Sequence, residues 1–397
     1  MAEYEVRQLG VDDVEAALMV RGNAFGNPID DAQREVVRSR FERGGSFGID
    51  LDGRLAGMLT VYPLGQFFGG ASVPMGGIGS VAVSVEFRGR GVAPALLTDA
   101  VSRMHDAGQV VSALHPATTA FYRRLGWELA GDYSVSTFPI RSLGALAPGE
   151  PERLRSGGPD DLPMLREIYA RAAIDHAGWI DRPEWFWDPA YQRSVAGYSV
   201  LVCDAADGDG IDGFALYEQT PATTMFGYGL EVTELVALDA TAEVTLWRAI
   251  GSFAAQVETV TVVGATGALL PFLLPEQDLR IAEANAWMIR LVDAPGAIAA
   301  RGYEPAVSAA VHIELRDPIA SWNNGRFVLE VTDGVGTLRP GGTGEVEIGV
   351  HALSAIYTGY TSALDLASVG ALHGPVEPCR ALDAIFAGPR PSMIEFF

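Results

Sequence analysis

The 397-residue sequence contains no lysine, so its 28 basic residues are all arginine. They are outnumbered by 50 acidic residues, and the formal net charge at pH 7 is -22. Nucleic acids and anionic membrane surfaces are bound through basic faces, so this charge disfavours both as partners. Without lysine the sequence also cannot contain the Gly-Lys-Ser/Thr ending of a P-loop.

Cysteine is scarce as well. Cys203 and Cys379 lie far apart and match no disulfide or metal-binding spacing, so we expect buried thiols in a reducing compartment and no bound metal. No apolar run reaches the roughly 18 residues that span a bilayer. The first ten residues carry acids and lack the apolar segment of a secretion signal. These absences predict a cytoplasmic protein.

Apolar residues are plentiful: 48% of the sequence is hydrophobic and 9% aromatic, enough for several cores. The length suggests two or three domains. A segment rich in proline, glycine and charge at 141–158 is typical of a linker, and the pattern changes again near Trp287. The predicted domains are therefore 1–145, 146–286 and 287–397, each with mixed helices and strands.

The stretch from Ser80 to Ala100 combines an apolar strand, a glycine-rich turn and a helix. Pro94 is tolerated in the first turn of that helix. Such a turn directs backbone N–H groups and the positive end of a helix at one point, which favours a phosphate. The turn reads Arg88, Gly89, Arg90, Gly91, Val92, Ala93.

Two common nucleotide motifs do not fit this turn. A dinucleotide fold requires glycine where Pro94 stands, and a P-loop requires lysine. The remaining pattern, Arg88-x-x-Gly91-x-Ala93 after a strand, resembles the acetyl-CoA pyrophosphate motif of the GNAT acetyltransferases. By itself, the motif is also compatible with an ordinary glycine-rich connection between a strand and a helix that binds no phosphate.

The order of elements around the motif extends this resemblance. Periodicity predicts helices, then a β-meander, then strand, turn, helix, strand, helix and strands, as in the GNAT fold. The predicted strands are 4–9, 46–50, 55–67, 73–83, 110–114 and the strands within 127–139. The predicted helices lie around 14–20, 36–41, 93–106 and 118–125.

The second segment repeats this layout, with a helix at 160–173, a hairpin of 199–203 and 214–218, a strand at 230–236 and a helix at 243–255. Internal duplication is the simplest explanation. Its strand–helix connection, Ala237 to Ala242, has no glycine and carries Asp239 where a phosphate would lie. We expect no CoA there.

The third segment predicts a different fold: a helix at 295–300, strands at 309–315, 325–331 and 345–350, and helices at 353–357 and 382–386. It resembles a sterol-carrier-protein-like domain. In that superfamily the domain is a lipid-binding shell, but a shared fold is only an analogy for function.

One GNAT unit with the acetyl-CoA motif, a degenerate GNAT-like unit and a carrier-like domain together resemble the Eis (enhanced intracellular survival) family. The resemblance implies N-acetyl transfer from acetyl-CoA, by direct attack in a ternary complex, to a primary amine of an aminoglycoside, a polyamine-like molecule or a lysine side chain. It also implies a homohexamer. The alternative is a lipid or small-ligand binding protein that uses its C-terminal domain and keeps the GNAT unit as an inert scaffold.

The resemblance assigns roles to individual residues. Tyr122, in the segment Ala120 to Trp127, matches the tyrosine that protonates the departing CoA thiolate, whereas Phe121 reads as core packing. The acetyl-CoA site is expected to use the backbones of Val81, Ala82 and Val83, the turn Arg88, Gly89, Arg90, Gly91, Val92, Ala93 and Pro94, and Ala117 and Thr118. Phe25 and His115 are expected near the acceptor; for His115 a purely structural role stays open.

The sequence differs from the family at one place, and this leaves the identity of the acceptor amine undecided. Family members can carry an acid in the loop after Phe25, where this sequence has Gly26, Asn27 and Pro28. Asn27 cannot pair with a cationic amine by charge. Asp30 and Asp31 are the nearest candidates to replace the missing acid.

A base is also needed, yet the strand before the glycine-rich turn offers only Ile78, Gly79 and Ser80 where other GNAT enzymes can place a glutamate. The sequence ends in Phe396 and Phe397, an apolar ending that suggests docking. In the Eis family the terminal carboxylate enters the first active site. A free α-carboxyl has a pKa of about 3.3–3.7, which burial would raise, so Phe397 could accept a proton. The alternative is a frayed or merely packed tail.

Overall fold

The computed structural model describes residues 4–26, 29–187, 198–221, 227–264, 266 and 269–397. Its strands are β1 (Arg7–Gln8), β2 (Ser46–Leu51), β3 (Arg54–Phe68), β4 (Ala71–Val83), β5 (Val111–Leu114), β6 (Glu128–Asp132), β7 (Val135–Pro139), β8 (Leu154–Gly157), β9 (Ile180–Asp181), β10 (Ser199–Asp204), β11 (Ile211–Thr220), β12 (Tyr228–Ala237), β13 (Val257–Val263), β14 (Arg280–Glu283), β15 (Ala286–Leu291), β16 (Ala309–Arg316), β17 (Gly325–Thr332), β18 (Val335–Pro340), β19 (Val346–Gly349) and β20 (Leu372–His373). Its helices are α1 (Val14–Phe25), α2 (Asp31–Arg43), α3 (Val92–Asp106), α4 (Thr119–Arg123), α5 (Leu162–Ala173), α6 (Ala240–Gly251), α7 (Leu270–Leu273), α8 (Ala294–Ala300), α9 (Val350–Tyr357), α10 (Ala363–Ser368) and α11 (Val376–Ile385).

The chain divides into two compact units. The first contains residues 1–130, 287–389 and 397, and the second contains 131–286 and 390–396. The limits expected at residues 145 and 286 stay predictions of where domains begin and end along the chain.

The first unit is organised around a sheet with the order β1-β2-β3-β4-β5-β15-β6. Strands β1 to β4 form an antiparallel meander, and β4 pairs with β5 in parallel. Helix α3 buries Leu96, Leu97 and Met104 in the core on one face. Helices α1 and α2 belong to a second core on the other face, which includes Met58 and Ala82. The helical and strand patterns of 14–20, 36–41, 46–50, 55–67 and 93–106 are confirmed.

Strands β4 and β5 part before β4 ends. Their pairing runs from Met75 opposite Val111 to Ile78 opposite Leu114, the last residue of β5, whereas β4 continues to Val83 against β3. A bulge lies in the continuation, because the register with β3 shifts between Gly79 and Ala82. Its residue Ser80 has a φ of 54°, a left-handed conformation that is uncommon for a residue with a side chain.

The second sheet of the first unit has the order β18-β17-β16-β19-β20, with β16 and β19 parallel. The predicted helix at 295–300 and the predicted strands at 309–315 and 325–331 are confirmed by α8, β16 and β17. Strand β18 and helix α10 were not predicted.

The second unit repeats the sheet of the first. Its order is β14-β7-β13-β12-β11-β10-β8, again with one parallel pair, β12 with β13, beside an antiparallel meander. The hairpin of β10 and β11 is the predicted one. This repetition agrees with the internal duplication inferred from the sequence.

The large sheet of each unit also contains a strand whose neighbour in the sheet is not its neighbour in the sequence. Strand β7 follows β6 in the chain but pairs with β13 in the second unit. Strand β15 follows β14 but pairs antiparallel with β5 in the first unit. The predicted first strand, 4–9, is shortened to β1, and β13 and β15 were missed.

Other sequence expectations concern cysteines and membranes. Cys203 and Cys379 are free and buried, as expected. Within the part of the chain that the structure describes, no helix is long and apolar enough to cross a membrane. Among those same residues, no three His, Cys, Asp or Glu side chains are grouped as metal ligands would be.

A buried ion pair ties β15 to Asp317, the residue that follows β16. Arg290 on β15 is fully buried, and its Nη2 lies 2.8 and 2.6 Å from the two carboxylate oxygens of Asp317. Its Nη1 donates to the carbonyl of Leu125, just after α4, at 2.6 Å. Asp317 in turn accepts from the amides of Ile319 and Ala320. The pair is therefore hydrogen-bonded on both sides, which buried charges require.

Asp317→Ala should lower the free energy of unfolding of the first unit by about 3–5 kcal/mol, because it leaves the buried Arg290 charge unpaired. Glu377→Ala is the matched control, since Glu377 pairs with Arg380 on an exposed surface. Urea denaturation followed by tryptophan fluorescence measures both. Equal midpoints for the two variants would contradict a structural role for the pair.

Candidate active site

The N-terminus of α3 is open to an anion. Gly91 is its N-cap residue, with a φ of 89° and no side-chain cap hydrogen bond. That left-handed conformation suits glycine, and a side chain there would be strained. The first backbone N–H groups of a helix lack partners within it and carry partial positive charge. The turn therefore fits the pyrophosphate of acetyl-CoA.

The other residues expected around the pyrophosphate lie in the same turn. Gly89 also has a left-handed φ of 76°. Arg88 directs its Nε toward the carbonyl of Val83 at 3.4 Å, and Arg90 lies 3.5 Å from Asp52. Both arginines are exposed. The first turn of α3 is formed by Val92, Ala93 and Pro94.

Val81, Ala82 and Val83 form the part of β4 that continues beyond its pairing with β5. Ala82 packs into the core with α1 and α2, whereas Val81 and Val83 pack against the core with α3. Their side chains are thus used in packing. Their backbones follow the end of the β4–β5 ladder, where an extended ligand can add to the strand.

The corresponding helix of the second unit is closed. Asp239 is the N-cap of α6, and its Oδ1 accepts from the amide of Ala242 at 2.8 Å. A carboxylate therefore already occupies the place of a phosphate and would repel one. The expectation of a single CoA site in the first unit rests on this contrast with Gly91.

Tyr122 lies in α4, where the sequence predicted a short helix. Its ring packs edge-to-face against Phe121 and Trp127, at centroid distances of 5.0 and 6.3 Å. Burial raises the pKa of Tyr122 to about 12. The phenol therefore stays protonated at neutral pH, as a proton donor must.

Ala117 and Thr118 lie between β5 and α4 and are exposed. Thr118 is the N-cap residue of α4 but makes no side-chain cap hydrogen bond. Both follow the end of β5 directly, so the chain places them beyond the point where β4 and β5 part.

Phe397 docks against β4 in the first unit. A Cβ atom at Gly77 would lie 2.8 Å from the Phe397 ring, and one at Gly79 would lie 3.2 Å from its terminal carboxyl carbon. The ring also meets Tyr62 and His115 edge-on, at centroid distances of 6.2 and 5.6 Å. Glycine is thus needed at both positions of β4 for Phe397 to approach.

The two expected acceptor residues differ in position. His115 contacts Phe397. Phe25 is the last residue of α1, is 47% exposed and makes no ring contact with another described aromatic residue. Asn27 and Pro28 belong to the loop in which family members can carry an acid. Both lie outside the described residues.

Asp30 and Asp31, the suggested replacements for that acid, are engaged in helix α2. Asp30 is its N-cap and accepts from the amide of Gln33 at 2.8 Å. Asp31 pairs with Arg34 at 2.5 Å. Both carboxylates therefore have local partners in α2, and their part in binding the acceptor stays a prediction.

Sequence reasoning missed three residues beside the site: Arg21, Arg40 and Ser80. The Nη1 atoms of Arg21 and Arg40 donate to the Ser80 Oγ at 2.9 and 3.2 Å. A signal was present, because Arg21 follows the buried Ala17 and Leu18 at helical spacing, on the apolar face of α1.

Comparisons with known proteins agree with this architecture. Two acetyltransferase (GNAT) domain families match residues 5–130 and 178–291, and a sterol carrier protein domain family matches 294–394. The chain thus has two GNAT domains and a C-terminal sterol-carrier-like domain, as predicted.

Individual relatives span most of the chain. An uncharacterised N-acetyltransferase of Streptomyces coelicolor is 30% identical over 79% of this chain and 77% of its own. The N-acetyltransferase Eis of Mycobacterium tuberculosis is 28% identical over 82% of this chain and 81% of its own. The crystal structure of a GCN5-related N-acetyltransferase from Anabaena variabilis has a TM-score of 0.91 and 27% identity, with all of both chains covered.

The open helix terminus, the buried tyrosine and these similarities lead to one assignment. The chain belongs to the Eis family of GNAT N-acetyltransferases, enzymes that transfer the acetyl group of acetyl-CoA to an amine.

Proposed function

We propose that the enzyme acetylates a primary amine by direct attack on acetyl-CoA in a ternary complex, with the Phe397 carboxylate as base and Tyr122 as acid. The observation that carries the proposal is the position of Phe397. Its carboxyl carbon lies beside Gly79, next to the place where β4 and β5 part. In that position a carboxylate can reach an amine that enters toward the β4 backbone.

The chemistry needs one proton acceptor and one proton donor. The acceptor amine arrives as an ammonium and gives one proton to the Phe397 carboxylate, directly or through a water. The amine nitrogen then attacks the acetyl carbon, so a C–N bond forms and the C–S bond to CoA breaks. The leaving thiolate takes a proton from Tyr122, and the tyrosinate is reprotonated, through water, by the second proton that the nitrogen loses as the amide forms. The proton on the Phe397 carboxylate passes to solvent.

Tyr122 is suited to the acid role because a tyrosine, whose ordinary pKa is about 10, holds its proton at pH 7. Its raised pKa, about 12, means that almost all molecules hold the phenolic proton at pH 7. Desolvation is the cause of that shift, and it would raise the pKa of the departing CoA thiol for the same reason, which offsets the weaker acidity of Tyr122.

Acetyl-CoA would be held by main-chain groups. We assign the pyrophosphate to the turn from Arg88 to Pro94 and the pantetheine arm to the backbones of Val81 to Val83, with Ala117 and Thr118 near the cofactor. The support is the uncapped N-terminus of α3 and the end of the β4–β5 ladder at Ile78.

The acceptor range of the family, aminoglycosides, polyamine-like molecules and lysine side chains, supplies candidate substrates, and His115 lies beside Phe397 to meet them. The homohexamer and the cytoplasmic location rest on resemblance and composition. The alternative, a lipid or small-ligand binding protein with an inert GNAT unit, is not favoured, since the similarity to N-acetyltransferases covers about four fifths of the chain.

Tyr122→Phe should leave the affinity for acetyl-CoA unchanged and lower turnover by roughly 10²–10⁴-fold, the range for loss of a positioned proton donor. Calorimetry gives the affinity and thiol release gives turnover. Tyr228→Phe, which removes an exposed hydroxyl from the second unit, is the control. Unchanged turnover in Tyr122→Phe would show that Tyr122 serves packing alone.

A Gly-Ser extension after Phe397 should lower turnover by roughly 10²-fold while acetyl-CoA still binds, because it replaces the carboxylate by a neutral amide. The same two residues placed before Met1 form the control. If the extended enzyme acetylates amines at the wild-type rate, the terminal carboxylate is not the base.

A further inference from the structure

Two arginines from different helices converge on one hydroxyl. Arg21 of α1 and Arg40 of α2 donate to Ser80 Oγ at 2.9 and 3.2 Å. Ser80 is held in the left-handed conformation of the β4 bulge. Two cations therefore share a single neutral acceptor.

Neither arginine has a carboxylate partner among the residues that the structure describes. Other arginines on these helices do: Arg34, for example, pairs with Glu15 and Asp31. Among the described residues, Arg21 and Arg40 form no ion pair, either with a side chain or with the Phe397 carboxylate. This is unexpected in a chain with 50 acidic residues and 28 arginines.

The charge of Arg21 is costly where it lies. Arg21 is only 9% exposed, and burial together with the nearby Arg40 charge lowers its pKa. Buried charges without a counter-ion reduce stability and are retained mainly at functional sites. An anion placed at these two groups would remove the penalty.

The pair lies beside the candidate active site. Ser80 follows Gly79, against which the Phe397 carboxyl carbon lies. The Arg40 guanidinium is 5.7 Å from the centroid of the Tyr62 ring, which itself meets the Phe397 ring. Because α1 and α2 cover the opposite face of the sheet from α3, the arginines lie away from the expected pyrophosphate site.

We propose that Arg21 and Arg40 bind a carboxylate on the acceptor, so that the enzyme acetylates amines that also carry an acid group. This rests on the proposed function, since it concerns the acceptor of the same site. Guanidinium groups match carboxylates in shape and charge. The same two cations repel acceptors that carry only positive charges.

Matched acceptors test the proposal on the unmodified enzyme. Ornithine and putrescine share one diamine skeleton and differ by a carboxylate. The monoamines 5-aminopentanoate and pentylamine differ in that a carboxylate replaces a methyl group. The kcat/KM for the acid-bearing member of each pair should be roughly 10- to 100-fold higher, the range for charge-assisted hydrogen bonds. Equal values within both pairs would overturn the proposal.

Variants assign the effect to the arginines. Arg40→Gln should reduce the preference for the acid-bearing amines by about 10-fold, mainly through KM, and Arg40→Glu should reverse it. Arg38→Gln is the matched control, because Arg38 is an exposed residue of the same helix and should keep the wild-type ratio. Far-UV circular dichroism and acetyl-CoA affinity confirm that each variant is folded.

Two further outcomes distinguish a failure of the carboxylate proposal from a failure of the proposed acetyl transfer. If Arg40→Gln slows both members of each pair equally, the arginine serves a step common to all acceptors, and the carboxylate proposal is wrong while acetyl transfer stands. If acetyl-CoA binds but neither these four amines nor an aminoglycoside nor a lysine peptide is acetylated, the proposed function itself is contradicted.

Discussion

The parting of β4 and β5 is the constraint on which the site depends. Two parallel strands are hydrogen-bonded up to Ile78 and Leu114, and beyond them β4 continues alone against β3. Backbone groups at such an end need partners, and an extended ligand can supply them. The Ser80 bulge and the docked Phe397 lie at this point, and β4 leads from it to the turn that precedes α3.

Duplication of the sheet shows which features belong to function rather than to the fold. The main path of the first sheet and the sheet of the second unit each run through seven strands in corresponding order, so both units need the strand–helix connection for packing. Only the first begins its helix with an uncapped glycine, Gly91, whereas the second caps its helix with Asp239. A carboxylate satisfies the helix terminus internally, and a glycine leaves it for a ligand.

Local features of the sequence were predicted well. The meander, the turn at Gly91 and the short helix with Tyr122 follow from periodicity and turn residues, which act over a few positions. The pairing of β15 with β5 could not be predicted in this way, since it joins residues that are more than a hundred positions apart.

Local sequence patterns also could not predict which arginines meet beside the site. Arg21 and Arg40 meet Ser80 through a bulge whose left-handed residue no turn motif announces. Arg290 and Asp317 form a buried pair between segments with no shared pattern. Pairings of this kind depend on the tertiary fold. The composition also gives no sign of a cationic site, because acidic residues outnumber arginines by 50 to 28.

The assignment of a single acetyl-CoA site to the first unit is the central claim, and isothermal titration of the full chain with acetyl-CoA tests it most directly. One molecule bound per chain, lost in Gly91→Glu because a carboxylate then occupies the helix terminus, is the expected result. Two molecules per chain, or binding that survives Gly91→Glu, would contradict it.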